Sequence, residues 1–258
     1  MNVYGELAKL SVFSVDDVTK LTGNKKTAYS LLDRMMKRDQ VRKIRQNVYS
    51  CVNQASGEIV ASRYQIACAV NPSAYISHHT AFEFYGLANQ VFFEVYVSSD
   101  AKFRDFEFNN VLYRHVPSKL DDGVVKAKNT SGVRVTDLER TVIDGIKDFE
   151  KIGGFEELIN CLEGVLYLDE VKLKKYLDCY DIKALYQKTG YLLDNFKENM
   201  QLTDEFIRYC QDRIGKSTRY LLKNSTDENG ENRYVSRWQL VVPEGLLQVT
   251  KQDGDALA

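Results

Sequence analysis

The sequence predicts an α+β chain in which helices and a short hairpin come first, a mixed α/β region follows, and a helical layer comes last. Three observations carry this expectation. Apolar residues recur at helical spacing on both sides of Gly23, with two β-prone runs directly behind. Helix and strand signals alternate between residues 57 and 146, and apolar residues return to helical spacing between residues 155 and 180. At 258 residues the chain allows one to two domains, each able to bury a core. Its 44% hydrophobic and 28% charged residues suit a globular chain rather than a disordered one. No apolar run approaches the roughly 18 to 20 residues that cross a bilayer. The first fifteen residues show no basic leader followed by an apolar core, so neither a membrane span nor an export signal is expected. Five widely spaced cysteines without a C-x-x-C pair fit neither a disulfide framework nor a zinc ribbon. A cytoplasmic location is expected, with the thiols as small apolar filler.

Taken in order, a first helix spans about residues 3–10. Ser14 caps a second helix with Val15, Val18 and Leu21 on one side, which stops at Gly23. Asn24 caps a third, from residue 25 to about 38, whose buried face is Ala28, Leu31, Leu32 and Met35. Its opposite face carries Lys25, Lys26, Thr27, Tyr29, Ser30 and Arg34. Residues 41–44 and 48–52 are β-prone runs around the polar tip Arg45, Gln46 and Asn47, a hairpin with Arg42, Lys43 and Arg45 outward. Two helices joined by a short Gly-containing turn, with a hairpin behind them, read as an N-terminal winged helix-turn-helix. In that unit the start of the second helix meets base edges in the major groove, and the wing lies along the phosphate backbone. Charge agrees. The first fifty residues hold ten lysines and arginines against five acids, a net +5, whereas the other 208 residues carry −6 within the overall −1. Lys25, Lys26, Thr27, Tyr29, Ser30, Arg34, Arg42, Lys43, Arg45 and Gln46 are therefore the candidate DNA contacts. If ~5 of the cations between Lys25 and Arg45 neutralise phosphates, log affinity falls against log salt with a slope of about −4.5. The bland alternative is a winged helix used for protein contacts alone.

Further along, a helix is expected over residues 58–70, ended by Asn71 and Pro72 because the residue before proline resists helical geometry. Ser77 caps a helix closed by Gly86, and strands follow over residues 92–97, 111–116 and 132–135. Thr136 and Glu139 read as a capping box that opens a helix through Thr141, Ile143 and Ile146. Arg140 and Asp144 pair on its surface at i, i+4. Helices with Phe155, Leu158, Leu162, Leu173, Tyr176, Leu177 and Tyr180 among their apolar positions come next, with Asp169 and Asp181 placed as caps. Shorter helices are expected at 183–188, 191–196 and 204–214, bounded by Gly190 and Thr203. A turn at 227–230, a strand over 234–242 and a frayed polar tail at 248–258 complete the reading.

Catalytic chemistry finds little support. His78 and His79, adjacent on a helix, point about 100° apart, a poor arrangement for shared metal ligation. One packing or capping and the other solvated is the simpler reading; His115 is the third histidine. Glu94, Asp100, Asp105 and Glu107 flank strands as the carboxylates of a metal-dependent nuclease would, at unspecific spacing. Gly-rich phosphate loop, serine elbow and H-E-x-x-H element are all missing from the sequence. No catalytic residue, metal site or cofactor is expected.

Several motifs together resemble a known family. The run ISHHTA at 76–81 with YGL at 85–87 resembles the Ser-His-x-Ser-Ala…His-Gly-Leu stretch of the AbiEi family of abortive-infection antitoxins, with Thr80 and Tyr85 as departures. The run VTDLERTVID at 135–144 is similar to its Thr-x-x-Glu-Arg-Thr-x-x-Asp helix, the most specific of these matches. TGYLLD at 189–194 resembles the family's Gly-Tyr-Leu-Leu-Glu, and RWQLVV at 237–242 its closing Trp-containing strand. Ser77, His78, Glu139, Arg140, Thr141 and Asp144 are the motif positions, with roles the resemblance does not assign. It implies a DNA-binding domain at 1–53 and an antitoxin domain at 54–258, α+β to about 150 and mainly helical to about 247. It further implies an antitoxin of a type IV toxin–antitoxin, phage-defence system that counteracts a nucleotidyltransferase-like toxin without an obligatory stable complex. The same protein would repress its own operon by binding double-stranded promoter DNA at inverted repeats, as a monomer in solution that binds cooperatively on DNA. From the residues alone, the alternative is a stand-alone winged-helix transcription regulator whose C-terminal domain senses a ligand or partner.

Overall fold

In the computed structural model, which describes residues 3–118, 120–222 and 232–243, local capping signals fix the first elements. Helix α1 (Val3–Leu10) buries Leu7. Ser14 opens α2 (Val15–Thr22) through a capping box, its hydroxyl accepting from Asp17 N–H while the Asp17 carboxylate accepts from Ser14 N–H. Gly23 closes that helix in the left-handed region at φ 72°, where its N–H reaches Thr19 O at 2.7 Å. Asn24 Oδ1 then takes the N–H groups of Lys26 and Thr27 and starts α3 (Lys25–Lys37). Ala28, Leu32 and Met35 of α3 are buried and Leu31 is half-buried, packed with Leu7, Phe13, Val15, Val18, Val41 and Tyr49 in one core. Strands β1 (Val41–Arg45) and β2 (Val48–Cys51) form the antiparallel hairpin, with a register shift between Lys43 and Arg45.

The helix expected over residues 58–70 is shorter. It is α4 (Arg63–Cys68), opened by a Ser62/Gln65 capping box. The preceding residues are claimed by β2: Ile59 bridges Val52, Val60 N–H bonds to Cys51 O at 2.8 Å, and Ala61 N–H bonds to Ser50 Oγ at 3.2 Å. Next come β3 (Tyr75–Ile76), α5 (His78–Phe84), β4 (Glu94–Ser99), β5 (Phe106–Phe108), β6 (Val111–Pro117), β7 (Val124–Lys126) and β8 (Arg134–Thr136). The strands form one sheet in the order β5-β6-β4-β3-β8-β7, with β4–β6 and β3–β8 parallel and the other pairs antiparallel. Ser77 does not cap α5. Its hydroxyl is turned to Ser98 Oγ at 2.7 Å and His78 Nδ1 at 2.8 Å, while Thr80 Oγ1 accepts from Tyr96 N–H at 2.8 Å and ties the helix to β4.

The chain divides into two compact units, Met1–Ala81 with Val91–Thr136 and Phe82–Gln90 with Asp137–Ala258. The expected boundary after residue 53 falls inside the first of these units, where residues 59–61 bond back to residues 50–52.

The second unit is mainly helical: α6 (Leu138–Lys147), α7 (Phe155–Glu163), α8 (Glu170–Tyr180), α9 (Lys183–Asn195) and α10 (Asp204–Gln211), with a small sheet of β9 (Arg219–Tyr220), β10 (Asn232–Val235) and β11 (Leu240–Pro243). Helix α6 starts one residue later than the sequence suggests. Thr136 ends β8, and Asp137 is the cap, accepting from Arg140 N–H at 2.9 Å. The single strand expected over 234–242 is a hairpin, reversed by a 3-10 turn at Ser236–Trp238 with Gln239 at φ 47°. The expected turn at 227–230 and tail at 248–258 lie outside the described residues.

Gly190 does not end a helix; it sits inside α9. A Cβ there would lie 2.2 Å from two ring carbons of Trp238, so the hydrogen side chain makes room for the buried indole. Gln187 Nε2 donates to Trp238 O at 3.1 Å beside it. The two late motifs, TGYLLD and RWQLVV, thus meet as one packing contact. Gly190→Ala is expected to lower stability by about 3 kcal/mol through overpacking. The emission of the single tryptophan should shift to the red in the variant, and an unchanged denaturation midpoint would contradict the packing.

Cys51, Cys161 and Cys210 are buried, as apolar filler should be, whereas Cys68 is half-buried and Cys179 is exposed and fills no core; burial raises the thiols of Cys51 to about 11 and Cys210 to about 12. Among the described residues no helix is long and apolar enough to cross a membrane.

Candidate functional site

The surface of α3 opposite its core is cationic and open. Lys25, Lys26, Thr27, Tyr29, Ser30 and Arg34 are all exposed, as are Lys37 and Arg38 at the end of the helix. Ser30 Oγ bonds to Lys26 O at 3.1 Å and Arg34 Nε to Ser30 O at 3.3 Å, which lays the guanidinium along the helix. Acidic neighbours are few: Asp33 is exposed on α3, and Asp39 follows it. The hairpin adds exposed Lys43 and Gln46. Asn47, at φ 59° in the turn, accepts the Val15 N–H at 3.0 Å, so the tip is fastened to the start of α2.

Two of the expected contacts are placed differently. Arg42 is half-exposed and forks onto Asp39 through Nε and Nη2, both at 3.1 Å, so its charge is already matched. That hydrogen bond raises the Arg42 guanidinium above its ordinary value and holds the Asp39 carboxyl below its own. Arg45 is half-buried instead of exposed, with its guanidinium 5.5 Å from the ring centre of Phe103 and 4.9 Å from that of Phe106. Burial alone lowers its pKa. The two rings stand far along the chain, so no local signal in the sequence links them to the hairpin.

The VTDLERTVID motif builds a second cluster, in the helical unit. Arg140 and Asp144 pair as expected at i, i+4, Nε to Oδ1 at 2.9 Å, but both side chains are 4% exposed, so the pair is interior rather than on the helix surface. Tyr180 OH donates to Asp144, and the Arg140 guanidinium and Lys147 ammonium each lie 5.3 Å from the Tyr180 ring centre. Glu139 is not a capping-box residue. Its Oε1 accepts from Asp169 N–H at 3.0 Å and its Oε2 from Lys172 Nζ at 3.1 Å. Lys172 also stands 3.3 Å from Asp137 Oδ2, which accepts from Tyr176 OH at 2.7 Å. Burial pulls the Lys172 ammonium down, yet the Glu139 hydrogen bond and the charges of Asp137 and Glu139 more than offset it, and its pKa is raised. Burial, then the charges of Asp137 and Glu139, push the Tyr85 phenol up to about 12. Thr141 Oγ1 bonds to Asp137 O at 2.7 Å. Lys172, Tyr176 and Tyr180 were not among the sequence candidates. Their spacing of four residues along α8 makes one stripe, the signal by which they are found.

Asp144 pairs with Arg140, and Asp137 and Glu139 share Lys172, an arrangement suited to joining α6 and α8. Ser77 and His78 belong to the other unit, where His78 starts α5 at φ 54°. His79 is buried as well, stacked on Phe92 at 3.9 Å, so neither histidine is solvated. The strand-flanking acids do not converge. Glu94 is clamped by Arg114 at 2.7 and 2.8 Å, Asp105 accepts from His115 N–H, Asp100 bonds to Ser73, and Glu107 is exposed. Among the described residues, no group of three or more His, Cys, Asp or Glu is placed to hold a metal ion.

No family model matches the chain, and no curated protein does. Among solved structures it is similar to the crystal structure of the RV2827C protein from Mycobacterium tuberculosis. The TM-score is 0.67 at 14% identity, over 98% of this chain and 94% of that one. At such identity the likeness is one of fold: a mixed α+β architecture shared along nearly the whole length.

Proposed function

We propose that this chain is a winged helix-turn-helix DNA-binding protein that represses its own operon and is also the antitoxin of a type IV toxin–antitoxin, phage-defence system. The observation that carries the DNA-binding part is the open cationic face of α3, beside a hairpin anchored to the same core. Lys25, Lys26, Thr27, Tyr29, Ser30 and Arg34 face the major groove of a duplex, and Lys43 and Gln46 follow the backbone from the wing. The antitoxin part is supported by the ordered set of motifs that resembles the AbiEi family, and its target is a nucleotidyltransferase-like toxin, without need of a stable complex. Inverted repeats in the promoter, read cooperatively by two monomers, match a single reading head per chain.

The test uses the full chain, because cutting after residue 53 would sever the bonds between β2 and residues 59–61. Cells carrying the toxin and a reporter on the native promoter receive either the wild type or a Lys25→Ala, Lys26→Ala, Arg34→Ala variant. The variant is expected to lose repression and keep growth rescue. Intact repression would remove the DNA-binding reading. Repression by the wild type without any rescue would leave a stand-alone regulator.

A further inference from the structure

We infer that Arg45 is a positioning residue of the wing rather than a DNA contact: laid across Phe103 and Phe106, its guanidinium fastens the hairpin to the edge of the six-stranded sheet. The inference rests on the DNA-binding reading and refines it. In a regular strand Lys43 and Arg45 share a face. The register shift between them breaks that equivalence, so Lys43 stays exposed while Arg45 turns in. The platform is itself braced. Phe106 stacks on Tyr113 with ring centres 4.6 Å apart and planes 5° from parallel, and Phe103 meets His115 edge-on at 4.9 Å. Arg45 Nη1 is buried with no hydrogen-bond partner among the described residues, so the aromatic faces are what receives this cation. A guanidinium that clasped phosphate would need its planar fork open to solvent. With Asn47 tied to Val15 and Arg45 to the sheet, the wing is held at two points and meets DNA already ordered, which lowers the entropic cost of binding.

Arg45→Met, Arg45→Lys and Phe106→Leu variants of the full chain separate a clamp from a contact. Each is titrated with a promoter duplex over a range of salt, and hydrogen exchange is followed at the hairpin amides. A clamp predicts a roughly three- to tenfold loss of affinity in all three, including the uncharged phenylalanine variant. The salt slope should stay constant, exchange should accelerate in residues 41–51, and Arg45→Met with Phe106→Leu should be no worse than either alone. A direct phosphate contact predicts the opposite: a slope shallower by about 0.9 in Arg45→Met, rescue by Arg45→Lys, and no effect of Phe106→Leu. That pattern, or unchanged affinity and exchange in every variant, overturns the clamp. If the wild type fails to bind any duplex, the DNA reading falls, and hairpin exchange alone then decides whether the clamp exists.

Discussion

Arg140→Met is expected to lower the free energy of unfolding by about 3–5 kcal/mol, more than overpacking at Gly190 would cost. The reason is asymmetry. Arg140 and Asp144 are both 4% exposed, and with the guanidinium gone the carboxylate stays in the interior with its principal counter-charge removed. Tyr180 OH still donates to Asp144, but one neutral hydrogen bond does not replace an ionic pair made with both oxygens of the carboxylate. Replacing both partners, Arg140→Met with Asp144→Leu, should recover most of the loss, since neither charge is then stranded. Urea denaturation of the two variants and the wild type measures both numbers. A cost below about 1 kcal/mol for Arg140→Met would mean that the pair behaves as a solvated surface bridge.

On the proposed DNA-binding reading, neutralising Lys25, Lys26 and Arg34 together is expected to weaken binding to promoter DNA by about 100-fold at physiological salt, through the counterion release lost at three cations. With Arg42 and Arg45 engaged inside the molecule, four cations remain in the proposed contact set, so the salt slope should fall from about −3.6 to about −0.9, each lost cation removing about 0.9. Stability should change little, since all three side chains are exposed and lie opposite the buried Ala28, Leu32 and Met35. Titration at four or more salt concentrations tests the number of contacts as well as their existence. Unchanged affinity would identify the cationic face as ordinary solvated surface.

Much of the fold was legible in the sequence. Ser14, Gly23, Asn24, Asp169 and Thr203 mark helix ends where they were expected, because a cap is a bond between residues two to four apart. The structure departs from the local signals where a distant partner overrules them. The helix expected from residue 58 yields its first turn to β2, and Gly190 punctuates nothing because its lack of a side chain serves Trp238. Thr136 and Glu139 satisfy a capping-box pattern, yet Thr136 is used by the sheet and Glu139 by the start of α8, leaving Asp137 as the cap.

For the candidate interface the division is sharper. By itself the sequence determined which residues line the outer face of α3 and that Lys25, Lys26 and Arg34 make it cationic, since helical periodicity sorts contiguous residues into a buried and an open side. Only the tertiary structure decided which cations are free to meet a polyanion. Arg42 is matched by Asp39, Arg45 is laid on Phe103 and Phe106, and Arg140 is interior with Asp144. Whether a charge is spent inside the molecule depends on its surroundings in space, and for Arg45 those surroundings are rings supplied by a strand and loop remote in the chain.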